Sequence, residues 1–276
     1  MTTLVQPSPA LLLSGIGMVL VGLVPVIYWR RRTGVSWKIF GLGAVAWLST
    51  AVLKGATDIY VEPALSAAVQ GSATLVTALV YGLYVGLETG LFETGFTWIW
   101  ARRFRLFEAS FEDALGFGLG FACVEAMALG FDSFLGILDI LMNPALLGTL
   151  APSVQQALSA QYSMGPASIG APIIERAANL FIDCFAIVMV FMAIKGAKGV
   201  FVLAALYVSL ADFSIPLLSV YVSSSTLFGT YLLETPYVLL GLIGWQGLLR
   251  SRIDPVFAVK PQRRSKPHVR QKGLQS

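Results

Sequence analysis

The feature that most constrains the fold is a series of long apolar segments, each about long enough to cross a lipid bilayer. An α-helix needs about 20 mainly apolar residues to span a hydrocarbon core of about 30 Å. Only 12% of the 276 residues are charged, which is about half the share in an average soluble domain. We therefore predict an all-α, polytopic membrane helix bundle with about seven transmembrane helices, embedded in the lipid bilayer. The predicted spans are residues 10–29, 37–53, 72–100, 114–130, 168–194, 200–220 and 230–249.

The segments between the predicted spans are less clearly defined by the sequence. Residues 55–71 are predicted to form an acidic loop, and residues 143–167 a loop with an amphipathic piece. Residues 131–142 either continue the fourth span or form a separate half-helix. We divide the chain into a transmembrane domain, residues 1–250, and a basic cytoplasmic tail, residues 251–276. We expect the tail to be disordered because it is too polar to bury a core.

The basic residues are distributed very unevenly. All but two of the 19 Lys and Arg residues fall at one end of the predicted bundle or in the tail, and the exceptions are Lys54 and Arg176. Cytoplasmic loops of membrane proteins carry an excess of Lys and Arg. The bias therefore predicts a multi-pass protein integral to the cell membrane, with its N-terminus outside and its C-terminal tail in the cytoplasm.

The near absence of histidine limits the chemistry that the membrane domain can perform. The one histidine of the sequence is His268, in the tail. Zinc sites usually use His or Cys ligands, and a Ser-His-Asp triad needs a histidine beside its serine. Cys123 and Cys184 lie in apolar segments without a CxxC motif, and they are expected to pack in the core rather than to form a disulfide. We predict no resident metal, no cofactor and no nucleic-acid partner. Any hydrolysis would then depend on carboxyl groups.

Several carboxyl groups lie inside the apolar segments, where each costs roughly 2.5–3.5 kcal/mol to insert. Counted at about 1.5 Å per residue from the basic ends of their helices, Glu88, Glu93, Glu125, Asp183 and Asp212 lie at overlapping depths. We therefore expect four spans to bring carboxyl groups to the same height. Glu88 and Glu93 are about 140° apart around a helix, so they cannot both face one site.

The fifth span carries one polar stripe on an otherwise apolar helix. Glu175, Arg176, Asn179 and Asp183 fall within an arc of about 100° and are expected to face the bundle interior. Arg176 is expected to pair with Glu175 or with a carboxylate of another span. The stripe fits a polar clasp between helices and also fits a functional site. In such a site Arg176 and Asn179, together with Glu88 of the third span, would contact the substrate.

Paired carboxyl groups in a wet pocket are compatible with two kinds of chemistry. In hydrolysis, an ionised carboxylate takes a proton from water while a protonated partner donates one to the leaving group. In a transporter, the same pair could carry protons. Spacing along the chain does not separate the two.

Four sequence runs, FETGF, GFGLGFACVEA, APIIERAANLFIDCF and LYVSLADF, resemble the YhfC family of intramembrane peptidases. That family is distantly related to the PrsW and CAAX-processing membrane proteases. The resemblance covers residues 81–213 and implies a multi-helix membrane bundle with a water-filled site formed by several spans. The resemblance also favours Glu93, rather than Glu88, as the residue of the third span that works in the site. The positions that it carries over as lining the site are Glu93, Glu125, Glu175, Arg176, Asp183 and Asp212.

The chain departs from the family pattern where the family has basic side chains. Thr97 stands at the position of an expected arginine, and Phe121 stands where a histidine is expected between glycines. Asp183 stands where a further histidine is expected after the Glu-Arg pair. The resemblance therefore implies a divergent member, and the histidine-dependent metal site of the family is not carried over.

The leading hypothesis is an intramembrane peptidase that cleaves a membrane-embedded protein or peptide. Its acid/base pair would be Glu93 and Glu125, with Glu175, Asp183 and Asp212 as further catalytic candidates. The missing histidines motivate a second hypothesis, a non-catalytic binder or scaffold for membrane segments. The buried carboxyl groups motivate a third, a small-solute or proton-coupled transporter, although the sequence has no visible inverted repeat of broken helices.

Overall fold

The computed structural model describes residues 5–258, which contain helices and no strand. Within that part of the chain, seven helical segments are long and apolar enough to cross a membrane. The prediction of an all-α bundle with seven spans is therefore confirmed. The helices are α1 (Leu12–Thr33), α2 (Trp37–Val69), α3 (Thr74–Arg103), α4 (Phe111–Met142), α5 (Ala145–Thr149), α6 (Pro152–Ser163), α7 (Gly170–Ile194), α8 (Gly199–Leu218), α9 (Leu227–Leu233), α10 (Thr235–Ser251) and α11 (Pro255–Ala258).

The seventh span is built from two consecutive helices, α9 and α10, which together cover Leu227–Ser251. The first eight residues of the predicted tail are described and include α11. The rest of the tail, with His268, lies outside the described residues, so its expected disorder stays a prediction.

Local signals fix the ends of several spans. Ser110 and Asp113 form a capping box at the start of α4. The Ser110 hydroxyl accepts from the Asp113 N–H at 3.1 Å, and the Asp113 carboxylate accepts from the Ser110 N–H at 3.2 Å. This pairing satisfies N–H groups that a first helical turn leaves unpaired. Gly34, with a φ of 76°, ends α1 in the left-handed conformation that glycine adopts without strain.

The prediction of an acidic loop at residues 55–71 is wrong, because α2 continues as a helix to Val69. Two acidic residues, Asp58 and Glu62, suggested a loop; Glu62 is exposed, whereas Asp58 faces a neighbouring helix. Thr57 donates to Glu88, and Tyr84 donates to Asp58 at 2.7 Å. A polar residue within a span can thus be satisfied by another helix, and hydropathy alone does not separate this case from a turn.

The region after the fourth predicted span is also helical. α4 runs without interruption to Met142, so residues 131–142 continue the span and do not form a separate half-helix. The predicted loop at 143–167 contains the short helices α5 and α6. Together with Leu11 and Ile140, this segment encloses a small apolar cluster around Leu147 and Tyr162.

The two most buried spans, α4 and α7, form the centre of the bundle. α1 and α2 pack on α4, α10 packs on α7, and α3 packs mainly on α8. Phe117 of α4 meets Phe191 of α7 edge to face at a centroid distance of 5.5 Å. Cys123 and Cys184 are buried free thiols in this core, as expected from the sequence.

Glycines allow α3 and α8 to approach closely. A Cβ on Gly86 of α3 would lie 2.6 Å from the backbone oxygen of Ser209 in α8, and one on Gly82 would lie 2.9 Å from that of Phe213. Such distances are too short for any side chain. The α3–α8 contact therefore depends on glycine at these positions, and it sets the spacing between two helices that carry predicted site residues.

Candidate functional site

The polar stripe of α7 faces the bundle interior and contacts α4. Arg176 donates to Oε1 of Glu125 at 2.6 Å, and its other terminal nitrogen donates to Glu175. The Arg176 and Glu125 side chains are only 8% and 14% exposed. Arg176 was predicted to pair with Glu175 or with a carboxylate of another span, and the structure confirms both.

Asn179 joins the same carboxylate to the next polar position of the stripe. Its amide nitrogen lies 3.0 Å from Oε1 of Glu125 and 3.2 Å from Oδ2 of Asp183. Because one amide group contacts both, the two carboxyl groups are direct neighbours, and Asp183 is almost fully buried. We call this group the Arg176 cluster, and its members are Glu125, Glu175, Arg176, Asn179 and Asp183.

Glu125 is held by one oxygen only. Oε1 accepts from both Arg176 and Asn179. Oε2 is buried and has no hydrogen-bond partner within residues 5–258. An unpaired buried acceptor is costly in a protein interior, so this oxygen calls for a donor. Water, the amide of a bound peptide and the neighbouring carboxyl group of Asp183, when it carries a proton, are the candidates.

A second polar group joins four other spans. Lys54 of α2 donates to Thr89 of α3 at 2.7 Å and lies 3.9 Å from Oδ2 of Asp212 in α8. Thr89 and Tyr237 donate to the two oxygens of Asp212 at 2.5 and 2.7 Å, respectively. We call Lys54, Thr89, Asp212 and Tyr237 the Lys54 cluster.

Glu93 lies on α3, four residues after Thr89 of the Lys54 cluster. The side chain is half-buried, and no hydrogen bond among the described residues involves it. The contacts bring carboxyl groups of α4 and α7 together through Asn179, and they place Asp212 of α8 against Thr89 of α3. The convergence of all four spans on one site stays a prediction.

Glu88 has different partners from Glu93, as their angular separation predicted. It accepts from Thr57 of α2, and its Oε1 lies 3.2 Å from the Tyr84 hydroxyl. It is buried between α2 and α3. Its predicted contact with substrate is not tested by this arrangement and stays a prediction, as do the catalytic roles assigned to the other carboxyl groups.

Sequence reasoning missed Lys54, Thr89 and Tyr237. Lys54 had a usable signal, because it and Arg176 are the two basic residues that break the charge bias. Both of these cations lie among the buried carboxyl groups. Thr89 and Tyr237 gave no such signal, because a hydroxyl inside a transmembrane helix is common and its partner depends on how the helices pack.

Comparison with known proteins gives the family. A family model described as YhfC intramembrane metalloprotease matches residues 17–235. The chain belongs to the YhfC family. The "uncharacterized membrane protein YhfC" of Bacillus subtilis (strain 168) is 25% identical over 222 residues, which cover 75% of this chain and 82% of the relative. No solved structure matches. The resemblance predicted from four sequence runs is thus confirmed and extends over most of the membrane domain of this integral, multi-pass protein.

The description of the YhfC family implies a metal ion, and the residues of this member do not fit one. Within residues 5–258, no three His, Cys, Asp or Glu side chains are arranged as metal ligands. The carboxylates of Glu125 and Asp212 already face the cations Arg176 and Lys54. Zinc prefers nitrogen and sulfur ligands, and the two clusters offer oxygen donors beside positive charges.

Proposed function

We propose that this YhfC protein is an intramembrane peptidase that cleaves a membrane-embedded protein or peptide by carboxyl chemistry. The observation that carries the proposal is the state of Glu125. One of its oxygens is fixed by Arg176 and Asn179, and the other is buried without a partner. A carboxylate held in this way is oriented to accept a proton from a water molecule.

In the proposed reaction, Glu125 takes a proton from water as the water oxygen attacks the peptide carbonyl carbon. Glu93, in its protonated form, donates a proton to the amine nitrogen as the C–N bond breaks. Two neighbouring carboxyl groups with one ionised and one protonated are the usual arrangement for such acid/base work. Arg176 and Asn179 position Glu125. Glu175, Asp183 and Asp212 are further candidates, whose proposed role is to tune the charge of the pair.

The test compares new protein N-termini in membranes of cells that express the wild type or a variant. Glu125→Gln keeps the shape of the side chain and removes the base. Asp132→Asn is the matched control, because Asp132 lies on the same helix, α4, and is exposed outside the cluster. We expect new N-termini inside transmembrane segments with the wild type and with Asp132→Asn. We expect them to be lost with Glu125→Gln and strongly reduced with Glu93→Gln. Identical products from all four proteins would overturn the proposal.

The polar clusters themselves favour a second function, a non-catalytic binder or scaffold for membrane segments. The Lys54 cluster ties together α2, α3, α8 and α10, which is what a structural clasp would do. A binder would retain a membrane-segment partner in crosslinking experiments and produce no new N-termini. Crosslinked partners that are unchanged by Glu125→Gln, together with no cleavage by the wild type, would favour this function over the first.

We also propose that the N-terminus lies outside the cell and the tail lies in the cytoplasm. The support is the basic residues at the end of α1, the end of α3 and the last turn of α10. A green fluorescent protein fused to the C-terminus should then fluoresce, whereas alkaline phosphatase at the same position should be inactive. The opposite pair of results would reverse the orientation.

A further inference from the structure

The ammonium group of Lys54 lies close to carboxyl groups of two other helices. It contacts Thr89 at 2.7 Å and faces Asp212 at 3.9 Å. Thr57, one helical turn after Lys54, donates to Glu88 of α3. A single cation from α2 therefore lies beside carboxyl groups of α3 and α8.

This position is the one that a cation held by carboxyl groups would occupy. Carboxylate oxygens are the ligands that Mg²⁺, Mn²⁺ and Ca²⁺ prefer, and a converging set of them attracts positive charge of any kind. A lysine ammonium at the centre supplies that charge covalently, and it repels a divalent ion from the same place. Arg176 does the same for Glu125 and Glu175 on the neighbouring side.

We infer that the Lys54 ammonium is the built-in cation of this site and takes the place of a divalent metal ion. An ammonium has three N–H donors. Thr89 accepts one of them, and Asp212 at 3.9 Å is beyond ordinary hydrogen-bond distance. The group can therefore donate to an acceptor that enters the site.

For a peptide substrate, that acceptor is the carbonyl oxygen of the bond to be cleaved, and this part of the inference rests on the proposed function. As water attacks, negative charge develops on the carbonyl oxygen. A fixed cation in a site of low dielectric stabilises this charge, which is the part that a metal ion plays in other hydrolases. Lys54 would then act directly on the reacting atoms, while Glu125 and Glu93 move the protons.

The test of the cation position is direct metal binding, and it needs no substrate. Purified, chelator-washed protein is titrated with Mn²⁺ at mildly alkaline pH, and free Mn²⁺ is followed by electron paramagnetic resonance. We expect no stoichiometric binding to the wild type or to Lys54→Arg, which keeps the positive charge. Lys54→Met removes the charge and should bind Mn²⁺ at least roughly tenfold more tightly, because the carboxyl groups lose their internal counter-ion. Lys38→Met, on the same helix near its N-terminus, is the matched control and should behave as the wild type.

Stoichiometric Mn²⁺ binding by the wild type would overturn the inference, even if Lys54→Met fails to fold. A folded Lys54→Met protein that binds no more Mn²⁺ than Lys38→Met would overturn it as well. Cleavage is measured separately. Lys54 has the proposed role at the carbonyl oxygen if the wild type and Lys38→Met form cleavage products in the presence of a chelator and Lys54→Met forms none. If no protein gives products, the proposed function fails, while the metal titration still decides the identity of the cation.

Discussion

Replacing Arg176 by methionine should destabilise the protein strongly. The guanidinium holds Glu125 at 2.6 Å and also binds Glu175, and its side chain is only 8% exposed. With charge centres about 4 Å apart, the attraction to one carboxylate is about 4 kcal/mol at an effective dielectric of about 20. Part of this attraction is offset by the cost of desolvating the ions. Removing one partner leaves the other charge buried and alone, which costs about 3–5 kcal/mol.

The assay is steric trapping in bicelles, which measures the free energy of unfolding while the protein stays in lipid. A double-mutant cycle with Glu125→Gln isolates the pair. Glu125→Gln also removes the charge that Arg176→Met leaves unpaired. The double variant should therefore be more stable than the sum of the single effects predicts, by at least about 1 kcal/mol. Lys198→Met is the control, because Lys198 is exposed beyond the end of α7, and its effect should stay within about 0.5 kcal/mol.

Two results would refute this reasoning. If Arg176→Met costs less than about 1 kcal/mol, the guanidinium behaves like an exposed ion pair, and the site is wetter than its burial indicates. If the two substitutions add without coupling, the contact between Arg176 and Glu125 does not contribute to stability. Either result would also remove the fixed carboxylate on which the proposed reaction depends.

Three further substitutions test the packing and polar contacts. Gly86→Leu should separate α3 from α8 and cost at least about 1–3 kcal/mol, whereas Gly55→Leu, where a side chain would meet nothing within 4 Å, should be nearly neutral in the same unfolding assay. Tyr237→Phe removes a buried donor to Asp212 at 2.7 Å and should cost about 1.5–3 kcal/mol; a loss below about 0.5 kcal/mol would show that Thr89 alone suffices for Asp212. Ser110→Ala removes the cap of α4 and should cost about 1 kcal/mol, and hydrogen exchange should then rise in the first turn of α4 but not at its centre.

Much of the fold could be predicted from the sequence because the bilayer restricts what can cross it. Every backbone polar group in the hydrocarbon core must be paired, so an apolar segment of sufficient length is a helix. This rule gave seven spans correctly. It failed at the far end of α2, where Asp58 and Glu62 suggested a loop. Asp58 has its partner, Tyr84, on α3, and the rule contains no information about which helices are neighbours.

Only those features of the site that depend on the geometry of a single helix could be predicted from the sequence. The stripe on α7 was predicted because Arg176, Asn179 and Asp183 have helical spacing, and depth along the helices predicted that Glu125 lies at the same height. The contacts of Asp212 could not be predicted in this way. They come from α2, α3 and α10, and this combination depends on how the glycine-lined face of α3 packs against α8.

The two basic residues that break the charge bias explain why both clusters exist. A cation inside a membrane span is costly unless it is paired, so it persists only where several acceptors meet it. Arg176 pairs with Glu125 and Glu175, and Lys54 lies 3.9 Å from Asp212. Each cation lies on a helix packed against others that carry carboxyl groups. The acidic residues alone could be neutralised by protons, but the cations cannot stay charged without them. In this chain, the two exceptions to the positive-inside pattern therefore each mark one of the two polar clusters. Lys54 and Arg176 lie beside Asp212 and Glu125, two of the carboxyl groups that we propose for the site.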